Sequence, residues 1–509
     1  MIISLSVLVI TIIVSGTYAL YKAQLSKNIG VNTTTHGLAY YINYVKGTDI
    51  TAATLNPSTS YEGGASSDIE FWKKDDSYDI YGKIELTVNT IGTNLSNSPA
   101  LKYAVVNNGN VLKEGSLKGT TSGSKVTILK NLYLEQTKQI YTVYVWLDNS
   151  EELGNISNES LSISVDCTAS LQKEPAADTI ISLYTSAAKV TATNNSITYN
   201  TAPSVSLMND RLGGTTTDLD GGNIRYYGAN PNNYIYFNCS DYSNQTSSTC
   251  ETWRIIGVFD GKLKLIKGSQ IGTYSWDNKN ISTGAEDDRG KNDWTTARLM
   301  KLLNPDDYYI NDNNDKDSEG NYLGYSLYYN SASGMCFTDE GVNYSACDFT
   351  STGIKNDETR NMIAETTYNL GGWNDTGVYP NEIYEYERGT TVYTGRPTTW
   401  TGKIALAYPS DYGYAADLNQ CKQTLANYDN STCTSNNWMK AIITDNGSNH
   451  GWLLTPDSSY SYVAWYSQGN VGEYFTGAAR GAVPVLSLSS KLGIESGDGS
   501  SSNPYKLSA

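Results

Sequence analysis

Residues 223–266, NIRYYGANPNNYIYFNCSDYSNQTSSTCETWRIIGVFDGKLKLI, decide how this chain is read. Residues 234–237, 253–258 and 262–266 carry strand character, the first two through aromatic and β-branched side chains. A Pro-Asn-Asn turn precedes the first, and Asp260-Gly261 joins the last two as a hairpin, since that pair tolerates the positive φ angles of a tight turn. Cys239 and Cys250 bracket the Ser/Asn/Thr loop between the first and second. The run therefore opens a β-rich domain. Residues before 223 read as export segment, stalk and linker; residues beyond 266 continue one large aromatic-rich module.

The chain has 509 residues, which calls for more than one domain. It carries 36 Lys+Arg against 52 Asp+Glu, a formal charge of −16, and such a surface repels phosphate backbones, so nucleic acid is excluded as a partner. Charged residues are only 17% while Tyr numbers 41, a composition suited to recognition outside the cell. The alternative is that polar turns simply accompany many short strands.

The seven cysteines form local couples, Cys239 with Cys250, Cys336 with Cys347 and Cys421 with Cys433, leaving Cys167. Each couple brackets a turn-rich loop, which predicts three local disulfides and an oxidising compartment. No CxxC spacing occurs, and His36 and His450 are the only histidines, so the sequence holds no zinc ligand set. Cys167 is either buried or an intermolecular partner.

Residues 1–19 are an apolar segment near the length of about 20 that spans a bilayer. They end in Ser15-Gly16-Thr17-Tyr18-Ala19, whose small residues suit a signal peptidase. A cleaved signal peptide and a retained membrane anchor are both consistent with it. The stretch Ser15 to Tyr21 resembles the export signals of the TasA/camelysin group of Gram-positive matrix proteins, which includes fibre-forming subunits and a metallopeptidase branch. No HExxH is present, so the peptidase chemistry does not carry over.

In residues 20–167 period-2 segments at 81–88, 101–106, 126–129, 141–147 and 161–165 alternate with turns such as Asn107-Asn108-Gly109-Asn110. This predicts an N-terminal β-sandwich serving as a stalk. Residues 168–222, with Gly213-Gly214 and Asp220-Gly221-Gly222, read as a linker or wrapping segment holding a short helix at 178–188. Residues 223–509 add helical spacings at 292–304, 356–369 and 437–444 to further strands, predicting a disulfide-stapled α+β module.

That module resembles a family of surface proteins of gut Firmicutes. The shared features are the run His450-Gly451-Trp452-Leu453-Leu454-Thr455-Pro456, the strand Ala482-Val483-Pro484-Val485 and the ending Ser496-Gly497-Asp498-Gly499 with Asn503-Pro504-Tyr505. The family usually has Val-Arg-Pro-Val at the strand, and this chain lacks that Arg. Modules of this kind are distantly similar to the C-type-lectin and formylglycine-generating-enzyme folds, which implies a C-type-lectin-like architecture.

No GxSxG elbow or phosphate loop is present, and a formylglycine-generating activity would need reactive cysteines that the couples consume. Glu382, Glu385 and Glu387 are the densest carboxylate cluster, read as a solvated face with glycoside hydrolysis as the enzymatic alternative. Asp315, Asp317 and Glu319 precede Gly320 with the alternate oxygen spacing of a calcium loop; a plain hydrophilic loop is the alternative. Trp452, Trp465, Tyr466, Tyr474 and Arg480, interleaved with Ser, Gly and Asn, are the candidate ligand-binding residues, with a core position the alternative for the tryptophans.

The expectation is an extracellular cell-surface protein, secreted or tethered by its N-terminal segment, that is adhesin-like and binds a glycan or protein ligand without catalysing a reaction. A self-associating matrix or fibre subunit is the second expectation, and a glycan hydrolase the third.

Overall fold

In YGKIELTVNTI (81–91), Gly82, Ile84, Leu86 and Val88 are buried while the residues between them are half-covered, the signature of a strand with one face on a core. The structure is a computed structural model. It describes residues 41–51, 55–156, 159–171, 173–211, 222–277, 289–305, 326–331, 348–447 and 449–508, with the backbone of three short strands at Ala23–Leu25, Met335–Phe337 and Tyr344–Ala346. The export segment 1–19 lies outside these residues. No helix among the described residues is long and apolar enough to cross a membrane. The chain divides into two compact units, the first ending at Glu174 and the second beginning at Pro175.

The first unit is the expected two-sheet sandwich. Its strands are β1 (Ala23–Leu25), β2 (Ile42–Val45), β3 (Ile50–Thr51), β4 (Pro57–Ser58), β5 (Ala65–Lys73) and β6 (Tyr81–Ile91). The set continues with β7 (Leu101–Asn107), β8 (Asn110–Ser116), β9 (Lys125–Tyr133), β10 (Ile140–Asp148) and β11 (Leu161–Ser170). One sheet runs β1-β11-β6-β9 with β3 beside β11; the other runs β2-β5-β10-β7-β8 with β4 beside β10. Ile84, Leu86 and Val165 of the first share a buried core with Phe71, Val105 and Val143 of the second. Asn108 and Gly109, at φ 49° and 78°, make the expected β7–β8 turn. Cys167 is wholly buried in this core, and burial pushes its thiol well above the ordinary value, so it is an inert packing residue.

The second unit begins at Pro175, inside the stretch 168–222 read as a linker or wrapping segment that holds a short helix. The helix Ala176–Ser186 buries Ala176, Ala177, Ile180 and Tyr184. β12 (Val190–Asn194), β13 (Ile197–Ala202) and β14 (Leu207–Asn209) then join the largest sheet. Their sequences, VTATN, ITYNTA and LMN, are too short and polar to announce themselves; pairing to the sheet makes them strands.

β15 (Ile224–Tyr226), β16 (Tyr234–Phe237), β17 (Glu251–Phe259) and β18 (Lys262–Lys267) are the strands read from 223–266. With β24 (Ile404–Ala405) and β29 (Val485–Ser487) the sheet order is β12-β13-β14-β15-β17-β18-β29-β24, and β16 flanks β17. Asp260 and Gly261 take φ 48° and 71° at the hairpin. Gly257 lets β15 approach, since a Cβ there would stand 2.2 Å from the Ile224 carbonyl oxygen.

A five-stranded sheet runs β19 (Thr273–Ser275), β28 (Ala479–Gly481), β25 (Gly451–Pro456), β26 (Val463–Ser467) and β27 (Val471–Phe475), with β27 at its edge. Ribbons of β20 (Met335–Phe337) with β21 (Tyr344–Ala346), β22 (Thr366–Asn369) with β23 (Thr399–Gly402), and β30 (Gly493–Ser496) with β31 (Lys506–Ser508) complete the strands. The Cys239–Cys250 and Cys421–Cys433 disulfides form as expected. The Cys336–Cys347 couple lies outside the described side chains.

The expected helices are shorter than their spacing suggests. Asp293 Oδ1 accepts from the Thr295 N–H (3.1 Å) and hydroxyl (2.6 Å), a turn that delays the helix to Arg298–Leu303. Asn356 caps Asp357–Met362 by accepting from the Thr359 N–H at 2.9 Å, but β-branched Thr366 and Thr367 carry the chain on into β22. The third is only Lys440–Ile443. Two further helices, Pro380–Glu387 and Pro409–Tyr414, are not evident from apolar spacing. Both start Tyr-Pro-x-acid, with Glu382 Oε2 accepting from the Tyr379 N–H (2.8 Å) and Asp411 Oδ2 from the Tyr408 N–H (3.1 Å).

Asp411 ties this unit together. Its Oδ1 accepts from Arg225 Nη1 at 2.9 Å, its Oδ2 meets Lys264 Nζ, and Arg225 Nε reaches Asp210 at 2.5 Å. Burial would raise the Asp411 carboxyl, but Lys264 and Arg225 hold it below its ordinary value. Asp411→Ala leaves both cations buried without their shared partner, so it should destabilise the protein by about 3–5 kcal/mol, read by guanidinium denaturation.

Candidate functional site

The β26–β27 hairpin sorts its side chains by register. Ala464 pairs with Tyr474 and Tyr466 with Gly472 on one face; Trp465 pairs with Glu473 and Val463 with Phe475 on the other. Trp465 is completely buried, and its Nε1 donates to the Trp373 carbonyl at 3.2 Å. Trp452 is equally enclosed, donating to the Tyr274 carbonyl at 2.8 Å. Both tryptophans are therefore core residues, which corrects their assignment as ligand contacts.

The other three expected residues do come together. The Arg480 guanidinium lies 3.9 Å from the Tyr466 ring centre and 4.4 Å from that of Tyr474. His450 stacks on Tyr466 at 5.4 Å, and its Nδ1 is 2.6 Å from Arg480 Nη1. Burial and the adjacent Arg480 push the imidazole below its ordinary value, so the neutral ring accepts from the guanidinium. A Cβ on Gly472 would stand 3.1 Å from the Tyr466 ring, so glycine gives that ring its room.

From this point the rings continue as a string. Tyr466 to Tyr474 is 6.4 Å, Tyr474 to Phe475 5.0 Å, Phe475 to Tyr462 5.6 Å and Tyr462 to Tyr460 6.0 Å. Arg289 lies over Tyr462 at 3.9 Å as Arg480 does over Tyr466. Tyr460 is 52% exposed and Tyr474 40%, which sets the string at the surface. Rings braced by guanidinium groups present a large contact area at little entropic cost on binding.

An acidic pair that the sequence reading missed sits by the same hairpin. Asp457, directly after β25, is fully buried. Partial burial, a hydrogen bond to Asp457 and the charges of Asp457 and Asp375 push the Glu473 carboxyl up to about 8. The available signals were the Pro456-Asp457-Ser458 turn and the lone charge in VGEYF.

The Glu382 cluster separates. Glu382 caps its helix, and Glu385 alone is exposed. Glu387 is wholly buried, accepting from the Ser410 N–H at 2.9 Å and its hydroxyl at 2.5 Å. The solvated-face reading therefore holds for Glu385 and fails for Glu387. Asp315, Asp317 and Glu319 lie outside the described residues. Among the described residues no group of three or more His, Cys, Asp or Glu is arranged to hold a metal ion.

No protein-family profile matches this chain, and no curated protein does. Solved structures are similar only weakly, among them two receptor-binding or related chains. One is titled "Crystal structure of HCR/D F1240A mutant", at 12% identity over 51% of this chain and 76% of that one, with a TM-score of 0.16. The other is the receptor binding domain of botulinum neurotoxin mosaic serotype C/D, at 11% identity over 52% and 75%, with a TM-score of 0.15. Scores of that size carry no argument about fold, ligand or site.

Two outcomes are expected from these placements. Trp465→Ala should lose about 3–5 kcal/mol of stability, while Tyr474→Ala should stay within about 0.5 kcal/mol, both by chemical denaturation. Burial pushes Glu387 up to about 7 from an ordinary 4.5, against the lowering influence of Arg388 and Ser410. Its contribution is thus complete below about pH 4.5 and is lost as pH rises through about 7. Measured as Tm between pH 5 and 8, the parent should fall relative to Glu387→Gln.

Proposed function

We propose that the second unit is the ligand-binding module of an extracellular, adhesin-like protein, and that the string Tyr466, Tyr474, Phe475, Tyr462 and Tyr460 is its contact surface for a glycan or protein ligand. The observation that carries this reading is the exposure of Tyr460 and Tyr474 within a continuous row of rings held by Arg480 and Arg289. Aromatic and arginine side chains dominate binding surfaces. The two disulfides favour an oxidising compartment and thus the cell surface, whether the chain is secreted or tethered by residues 1–19. The resemblances to gut Firmicutes surface proteins and to the TasA/camelysin export signals point the same way. A C-type-lectin-like architecture for the module, with the sandwich as its stalk, belongs to this proposal.

A structural subunit is the second reading, favoured by one observation. β8 is an edge strand whose Val111 and Leu112 are 43% and 41% exposed, an open edge of the kind that pairs with another chain.

The test is a glycan and host-protein array probed with the full-length chain, with affinity then measured on any hit. Tyr474→Ala and Tyr466→Ala should each weaken binding about tenfold or more, the loss of roughly 1.4 kcal/mol expected of a contact residue. Unchanged affinity in both variants would overturn the surface assignment. Filaments of the purified chain under negative stain, with no array hit, would favour the structural reading.

A further inference from the structure

Strand β17 sets Arg254 opposite Tyr234 of β16 and Ile266 of β18, so its side chain leaves the sheet beside an aromatic ring. The guanidinium carbon lies 3.7 Å from the Tyr234 ring centre and 4.9 Å from that of Trp438. Nε donates to Asn233 Oδ1, and Nη2 donates to the Pro231 carbonyl at 3.2 Å. Arg254 is only 7% exposed, yet no carboxylate among the described residues stands within ion-pair distance of it.

Other buried cations of the same sheet are matched. Arg225 on β15 meets Asp210 and Asp411, Lys264 on β18 meets Asp411, and Lys267 meets Glu251. The two guanidinium groups differ accordingly. Burial lowers Arg225, but Asp210 and Asp411 outweigh it and raise the group; burial pushes Arg254 down to about 10, with only the Tyr234 phenol acting against it. Nη1 of Arg254 is the group left over. It makes no hydrogen bond among the described residues, and it is not sealed from solvent, whereas the equally unpartnered Arg225 Nη2 is sealed.

A cation taken nine-tenths out of water is costly without an anion, and here the fold supplies none. We propose that Arg254 anchors a binding site for an acidic sugar of the uronic-acid class, whose carboxylate reaches Nη1 from solvent. Bonds between an arginine and a carboxylate are charge-assisted and planar, and the rings of Tyr234 and Trp438 restrict the rotation of the guanidinium that makes them. The formal charge of −16 repels polyanions, so a ligand with a single negative charge is the one that fits. Ala229, Asn230 and Asn232 of the adjoining turn are exposed, and Asn230 Oδ1 accepts from the Tyr234 hydroxyl at 3.3 Å. Amides and a phenol beside an arginine suit a hydroxyl-rich ring. The site shares no residue with the string from Tyr460 to Tyr474.

The full-length chain should be titrated calorimetrically with glucuronate and with glucose, its uncharged counterpart. Glucuronate should bind with Kd on the order of 10⁻³ M, and glucose about tenfold more weakly or less. Arg254→Gln should lose this preference. Asn232→Asp should lose it too, since it sets a competing carboxylate at an exposed position next to Pro231 and leaves Arg254 and the core intact. If Arg254→Gln does not fold, Asn232→Asp and the comparison of the two sugars on the parent chain decide. Equal affinity for the two sugars, or no glucuronate binding by the parent, would overturn the proposal. So would an undiminished preference in a folded Arg254→Gln or in Asn232→Asp, because the carboxylate would then sit elsewhere. Tyr474→Ala should bind glucuronate as the parent does, so this proposal and the binding-surface proposal stand or fall separately.

Discussion

The second unit depends on one buried carboxylate. Asp411 lies at the start of the helix Pro409–Tyr414, and its two oxygens engage Arg225 on β15 and Lys264 on β18. These three elements are far apart in sequence, and their charges are almost completely removed from water. Two cations and one anion would not balance, and Asp210 supplies the second negative charge through Arg225 Nε. The faces of Phe259 and Tyr414, 4.6 and 4.7 Å from the guanidinium carbon, enclose the rest of Arg225. Such a cluster adds little net stability compared with an apolar replacement, yet it tolerates no loss of a single member. It therefore constrains where the helix and the sheet can meet.

Around that constraint the module is built with aromatic side chains, and the same residue types serve two purposes. Inside, Trp276, Trp294 and Trp400 succeed one another at 5.1 and 6.1 Å, edge to face or tilted, and fill the core. Outside, tyrosines on the β26–β27 hairpin form a string braced by arginines. The physical difference is whether a polar tip can reach a partner. Trp452 and Trp465 bury their rings because backbone carbonyls of Tyr274 and Trp373 accept their indole N–H groups. Tyr474 has no such demand and remains at the surface.

Local sequence carried the strands well. The period-2 runs of the first unit, the Asp260-Gly261 turn and two of the cysteine couples are where spacing and turn chemistry place them. Helix lengths were poorly legible, because Asp293 and Thr366 start turns and strands inside apparently helical spacing. The candidate surface was half legible: Tyr466, Tyr474 and Arg480 converge, whereas Trp465 goes into the core. Neighbours on a strand leave it toward opposite faces, so with Tyr466 turned outward Trp465 is carried into the core. Which of the two faces outward depends on the elements that pack against the hairpin.

What the sequence by itself determined is therefore local: acidic charge that disfavours phosphate, strand alternation, tight turns and cysteines close enough to pair. These arise from short-range sterics and composition. What only tertiary structure decided is non-local. The stretch 190–209 became strand because a sheet edge offered it hydrogen bonds, and Glu387 became a buried acid because its helix packs on Ser410. Burial and the meeting of distant charges depend on the whole packed arrangement, and no window of neighbouring residues encodes that.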